Sequence, residues 1–203
     1  MALPTHFRFD DPPIHQHVAA PLPTTAAVDA ERLRLARLTA RGIGMPIAGT
    51  LFWLVVAAFV RELPLRSALF WSFCATGAVF PVGVVITRWF GGDLFAKSPS
   101  LTPLAMLMNG MQLMYWPIIV LVWSLAPAWV PYAMATLFGT HFLGYAWLYR
   151  SRGYAVLSLG VSVVLTAAVL IARDPLLTTV PLLAAAVYAV AVAFLVREWR
   201  DAR

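Results

Sequence analysis

The chain has 203 residues, of which 61% are hydrophobic and only 12% charged, and its mean hydropathy is +0.79. A soluble domain carries about 25% charged residues, so this much apolar surface cannot be hidden in one water-facing core and the bilayer has to serve as solvent. That excludes a soluble enzyme, a disulfide-stapled secreted scaffold and an ordinary nucleic-acid binder, and the formal charge of +6 reads as basic loops on one membrane face.

Residues 1–27 hold five of the 15 prolines and three of the four histidines, His6, His15 and His17, with no apolar run. Such a stretch buries too little apolar area to offset its ordering entropy, which predicts a disordered tail and leaves the first span as its own insertion signal. His15 and His17 have no thiolate or organised carboxylate beside them, so no metal site is expected. Over 28–41 the sequence predicts a basic amphipathic helix opening at Asp29. Leu33, Leu35 and Leu38 are apolar, while Arg32, Arg34, Arg37 and Arg41 are basic. This composition suits a helix on an anionic leaflet, or a plain extension of the first span.

Six apolar segments follow within 42–196, at about 42–60, 67–87, 102–125, 130–149, 154–172 and 176–196. Each approaches the roughly 20 residues needed to cross the hydrocarbon, and none alternates with period two, which excludes a β-barrel. The last two are almost entirely Ala, Val and Leu and read as scaffold. Twelve of the 15 Lys and Arg fall on the side that holds both termini, including the basic stretch 197–203. The positive-inside rule puts that side in the cytoplasm. The expected fold is an all-α, six-helix membrane bundle of the bacterial inner membrane, with both termini cytoplasmic.

The nine acidic residues all lie in tails, loops or span ends, and Cys74 is the only cysteine. Proton pumping, metal-dependent lipid chemistry, di-haem ligation and nucleophile–base catalysis each need partners that the spans lack. No catalytic residue, cofactor or metal is therefore expected. What remains inside the spans is neutral. Asn109 and Gln112 share one face of the third span, about 10–15 Å from its cytoplasmic end. His141 and Tyr145 reach similar depth from the fourth span, and Thr50 and Thr76 from the first two. These six form a candidate polar girdle, read either as a binding or permeation site or as interhelical glue worth about 0.6–2 kcal/mol per pair. Met106, Met108, Met111 and Met114 read as gap-filling core. Gly77, Pro81, Gly83 and Pro117 interrupt their helices, and Gly139 and Gly144 permit close helix approach.

The cytoplasmic rim carries Arg88, Asp93 and Lys97 in one loop, and Trp147, Tyr149 and Arg150 at another. Aromatics with arginine at an interface suit anionic headgroups, and Asp93 is expected to pair with Arg88, Lys97 or Arg150. Phe80-Pro81-Val82-Gly83 with Asp93-Leu94-Phe95-Ala96-Lys97, and Gly139 to Ser151 as a second signature, resemble a family of small bacterial multi-pass membrane proteins of unknown function. The resemblance spans about 42–172. Gly144 stands where that family has a proline, and Ser98 supplies the polar residue it has before Pro99. It implies a membrane fold and a bacterial origin, implies no activity, and gives weight to Asp93 and the His141–Ser151 segment. Two functions are open: a small transporter or channel-like protein with its site at the girdle, or a non-catalytic membrane protein. The second would bind lipid, a second copy or another protein partner through its rim, and not nucleic acid.

Overall fold

The computed structural model describes residues 24–202, in which nine α-helices and no strand are formed. Five helical stretches are long and apolar enough to cross a membrane: Ala40–Glu62, Leu65–Trp89, Thr102–Leu125, Arg152–Ala172 and Thr179–Arg200. The expected tail and its histidines fall outside the described residues up to residue 23.

Helix α1 (Thr25–Leu38) starts earlier than Asp29 because Thr24, in extended conformation, caps it; its hydroxyl accepts from the Ala27 N–H at 3.3 Å. Residues 25–27 thus belong to the helix and not to the tail. Arg41, expected inside this helix, lies beyond its end. Ala40, Arg41 and Gly42 have φ of 45°, 53° and 63° and swing the chain into α2 (Gly44–Glu62). Left-handed backbone is unfavourable for Ala and Arg, and hydrogen bonds hold it here. The Tyr154 hydroxyl donates to the carbonyls of Arg41 (2.8 Å) and Gly42 (3.1 Å), while Arg41 Nη1 donates to the Tyr149 carbonyl at 2.6 Å.

Helix α3 (Leu65–Trp89) packs on α2. Gly44 faces the Gly83 carbonyl so closely that no side chain fits between them, and the Gly44 N–H donates to Thr87 Oγ1 at 3.1 Å. Small residues bring helices together where hydrocarbon offers no hydrophobic drive. The same device seats Tyr188 of α9 (Thr179–Arg200) against Gly49, and Leu195 against Gly153 of α8 (Arg152–Ala172).

The third apolar stretch is two helices, α4 (Thr102–Met111) and α5 (Trp116–Leu125), joined by a 3-10 turn at Gln112–Tyr115. Pro117 has no N–H for the Leu113 carbonyl. The turn tightens, and the Trp116 N–H takes that carbonyl instead. Met108 is buried, as a core methionine should be, but Met106, Met111 and Met114 face outward.

The expected single span over 130–149 is corrected by the structure. It breaks at His141 into α6 (Val130–Thr140) and α7 (Phe142–Leu148). Gly139 and Thr140 are weak helix formers, and side chains take the carbonyls that a continuous helix would have served. Thr140 Oγ1 donates to Leu137 O at 2.9 Å, His141 Nδ1 donates to Phe138 O, and Ser158 Oγ of α8 donates to Thr140 O at 3.2 Å. Irregular backbone at membrane depth survives only with such substitutes. Gly139 and Gly144 do allow close approach, to Val161 and Met108 respectively.

The helices form a ring. α3 packs on α2, α2 on α9, α9 on α8, and α8 on α6 and α7, which in turn meet α4 and α5. Phe73 closes the circle edge-on to Trp116 (5.6 Å) and Trp123 (5.5 Å).

Helix α1 is a strap across one end of this ring. Leu35 and Ala36 are buried against the bundle while Leu33 and Leu38 point outward, so the helix docks on protein with part of its apolar face. Arg32 lies over the Trp147 ring at 4.2 Å, and its Nε donates to the Trp147 carbonyl at 2.9 Å. Asp29 pairs with Arg32 (2.7 Å) and Arg150 (3.5 Å). Arg34 donates to the Lys97 carbonyl at 3.2 Å, and the Asp93 N–H donates to the Leu38 carbonyl at 2.8 Å. The strap therefore ties the loop over 90–101 to the turn after α7.

Glu31, gripped by the Arg34 guanidinium and then by Ser98, has its carboxyl held down at about 2. Because Arg34 lies on α1 itself, the depressed carboxylate favours the formed helix first and its contact with Ser98 second; that favour is complete above the free value near 4.5 and fades as pH falls through about 2. Hydrogen exchange in α1, corrected for intrinsic rate, is expected to match at pH 5 and pH 8. Arg32→Ala is expected to raise it at least tenfold, because three contacts to Trp147 and Asp29 are lost together. An unchanged rate in that variant would contradict the strap.

Candidate functional site

A cavity of about 230 Å³ lies within the ring. Met45, Gly49, Phe52 and Trp53 come from α2, and Thr76, Gly77 and Val79 from α3. Asn109, Gln112, Leu113 and Trp116 face them, with Phe138, His141 and Phe142 from the broken helix and Tyr188 from α9. A second space of about 90 Å³ lies toward the strap, lined by Gly42, Leu94, Tyr145, Tyr149 and Tyr154 among others. Met45, Asn109, Gln112, His141 and Phe142 border both spaces and form the wall between them. No Asp, Glu, Lys or Arg lines either one.

At the centre of the wall, Gln112 Nε2 lies 2.6 Å from His141 Nε2. The Phe138 carbonyl can only accept, so Nδ1 of His141 carries the proton. Nε2 is then an acceptor for the Gln112 amide, which is the neutral Nδ1–H tautomer with both ring nitrogens satisfied. The break in the helix and the pair are one feature: His141 serves Phe138 with one nitrogen and reaches Gln112 with the other.

Asn109 differs. It is exposed, lines both spaces, and its amide makes no hydrogen bond to any described residue. Two N–H donors and a carbonyl stand unused on the wall. Thr76 lines the larger cavity with its proton given to the Phe73 carbonyl at 2.6 Å. Tyr145 borders only the smaller space, where its hydroxyl lies 3.5 Å from the Ala105 carbonyl. Thr50 lies outside the site: it lines neither space, and its hydroxyl donates to the Pro46 carbonyl at 2.9 Å. The girdle therefore reduces to Asn109, Gln112, His141 and Thr76, with Tyr145 in the adjoining space.

The rim is less available than its sequence suggests. Asp93 makes no ion pair among the described residues, and its carboxylate accepts from the Phe95 N–H at 2.9 Å in a local turn. Arg150, one of its three expected partners, pairs with Asp29. Tyr149 is 5% exposed, beneath the strap. Trp147 is half exposed under Arg32, Lys97 gives its carbonyl to Arg34, and Arg88 points outward. Sequence reasoning missed Glu198, which accepts from the N–H groups of Arg152 (2.7 Å) and Gly153 (3.1 Å) and lies 4.0 Å from Arg41. A carboxylate capping another helix's N-terminus leaves no local signal.

Among the described residues these observations define an all-helical protein with five membrane-length helical stretches and a cavity whose lining is mostly apolar, with four neutral polar side chains, Thr76, Asn109, Gln112 and His141. The chain belongs to a family of unknown function, DUF7010, whose model matches residues 28–198. The resemblance to an uncharacterised family therefore holds, and the match reaches beyond 42–172 to take in most of α1 and nearly all of α9. No curated protein and no solved structure matches the chain.

Proposed function

We propose that the protein is a six-span inner-membrane protein, transporter- or channel-like, whose Asn109–Gln112–His141 wall binds a small uncharged group. Two arguments support six spans with both termini cytoplasmic. The two ends of the apolar region meet, since Arg41 lies 4.0 Å from Glu198, and Trp199 Nε1 reaches the Phe90 carbonyl after the second stretch at 3.2 Å. An even number of crossings is then needed, and α6 with α7 supplies the sixth. The charge count favours placing the strap end in the cytoplasm.

The observation that carries the binding reading is the Asn109 amide. A polar side chain inside a span is costly unless paired, and this one faces a cavity with its capacity unused. The Gln112–His141 pair holds the wall in register beside it. The rim reading has less support, because Arg150 is paired with Asp29, Tyr149 is buried and the Trp147 ring is covered by Arg32.

A ligand that binds only the folded state raises its unfolding temperature by mass action. Purified protein is heated with neutral hydrogen-bonding compounds running from acetamide to hexadecanol. At least one is expected to stabilise the wild type and to leave Asn109→Leu unmoved. A series that stabilises neither, or both equally, would overturn the reading.

A further inference from the structure

The binding reading leaves open which uncharged group fits and how it arrives, and any route to the wall rests on that reading. Toward the strap the smaller space is covered by the buried Tyr149 and Tyr154, 5% and 1% exposed. Toward the other end Phe73 meets Trp116 and Trp123. Sideways, between α3 and α4, there is no such cover. Gly77 and Asn109 are both exposed, and a Cβ added at Gly77 would meet nothing within 4 Å. Phe80 and Leu113 beside them are 50% and 64% exposed.

The depth of this window decides what it faces. Gly77 sits at the middle of the 25-residue α3, so the neighbouring phase there is hydrocarbon. Pro81, four residues on, has no N–H to give the Gly77 carbonyl, and glycine has no side chain to cover it. One edge of the window therefore presents a backbone acceptor, and the opposite edge presents the Asn109 amide. A charged head would enter with no opposite charge on the lining to offset its desolvation. A water-soluble solute would meet the tyrosines at one end and the Phe73, Trp116 and Trp123 rings at the other.

The geometry points to an uncharged long-chain amphiphile that enters from the bilayer between α3 and α4 and seats its hydroxyl or amide head between the Gly77 carbonyl and the Asn109 amide. The chain would remain along the exposed Phe80 and Leu113 surface, in contact with lipid. Gly77→Leu narrows the window, and its first added carbon meets nothing within 4 Å.

The test is photolabelling in phosphatidylcholine nanodiscs with a hexadecanol analogue carrying a diazirine next to its hydroxyl carbon. Adducts are expected on residues 76–80 and 109–113, reduced at least fivefold in Gly77→Leu and by excess hexadecanol. Matching analogues with a sulfate or trimethylammonium head are expected to label these residues at least fivefold less. Equal labelling of Gly77→Leu, or equal labelling by the charged analogues, would overturn the inference. Absent window labelling, with acetamide still stabilising the wild type through Asn109, would overturn the lipid route and leave the polar site standing. Loss of both responses would overturn the two together.

Discussion

Gly44→Ala is expected to destabilise the protein by about 3 kcal/mol, a larger loss than any other single methyl addition in the bundle should cause. The added carbon would overlap the Gly83 carbonyl oxygen and Thr87 Oγ1. Backbone cannot rotate away as a side chain can, so α2 and α3 must separate, and the Gly44 N–H to Thr87 bond stretches with them. Gly77→Ala is the matched control. It meets empty space, and removing a glycine from a helix interior should gain about 0.5–1 kcal/mol. Reversible unfolding in mixed detergent measures both. Equal losses would mean that α2 and α3 do not touch at Gly44 as described.

Gln112→Leu is expected to lower stability by about 1–2 kcal/mol, because the His141 Nε2 acceptor loses its donor. That is near the upper end for polar pairs in membranes, which average about 0.6 kcal/mol. The excess comes from the double duty of His141, whose other nitrogen holds the Phe138 carbonyl at a break in the helix. His141→Phe removes both contacts and should cost more than Gln112→Leu. In the double variant the losses should fall short of additive by about 1 kcal/mol. A pair acting as glue alone would give the same stability pattern and leave the ligand-induced rise in unfolding temperature intact. A pair that aligns the wall beside Asn109 should weaken that rise in Gln112→Leu as well.

The membrane-length helices were legible because hydropathy is a sum over some 20 residues, and one residue at either end hardly alters it. The break at His141 was not. Gly139 and Thr140 weaken a helix only slightly, and the contacts that accompany the break include Ser158 of α8 reaching the Thr140 carbonyl and Gln112 reaching His141, both fixed by tertiary packing. Asn109, Gln112 and His141 stood out as the polar residues of apolar spans, and the structure brings them to one wall. Thr50 stood out equally and does not join them, because a threonine in a helix can satisfy itself on the carbonyl four residues back, as it does at Pro46. The strap was half legible. Its leucines and arginines marked an amphipathic helix, but the pattern cannot distinguish a lipid surface from the end of the protein's own bundle. Arg32, which bonds a backbone carbonyl 115 residues away, decides it.

If Asn109 is a binding residue, its amide is available to something other than the protein. Solid-state NMR of the full chain in bilayers, with Asn side chains isotopically labelled, tests this through magnetisation transfer to the Asn109 Nδ2 protons. The expected result is transfer from water, lipid or added amphiphile, with none from a protein carbonyl. Transfer from a protein carbonyl alone, on this chain or a second copy, would make Asn109 a structural residue and contradict the site.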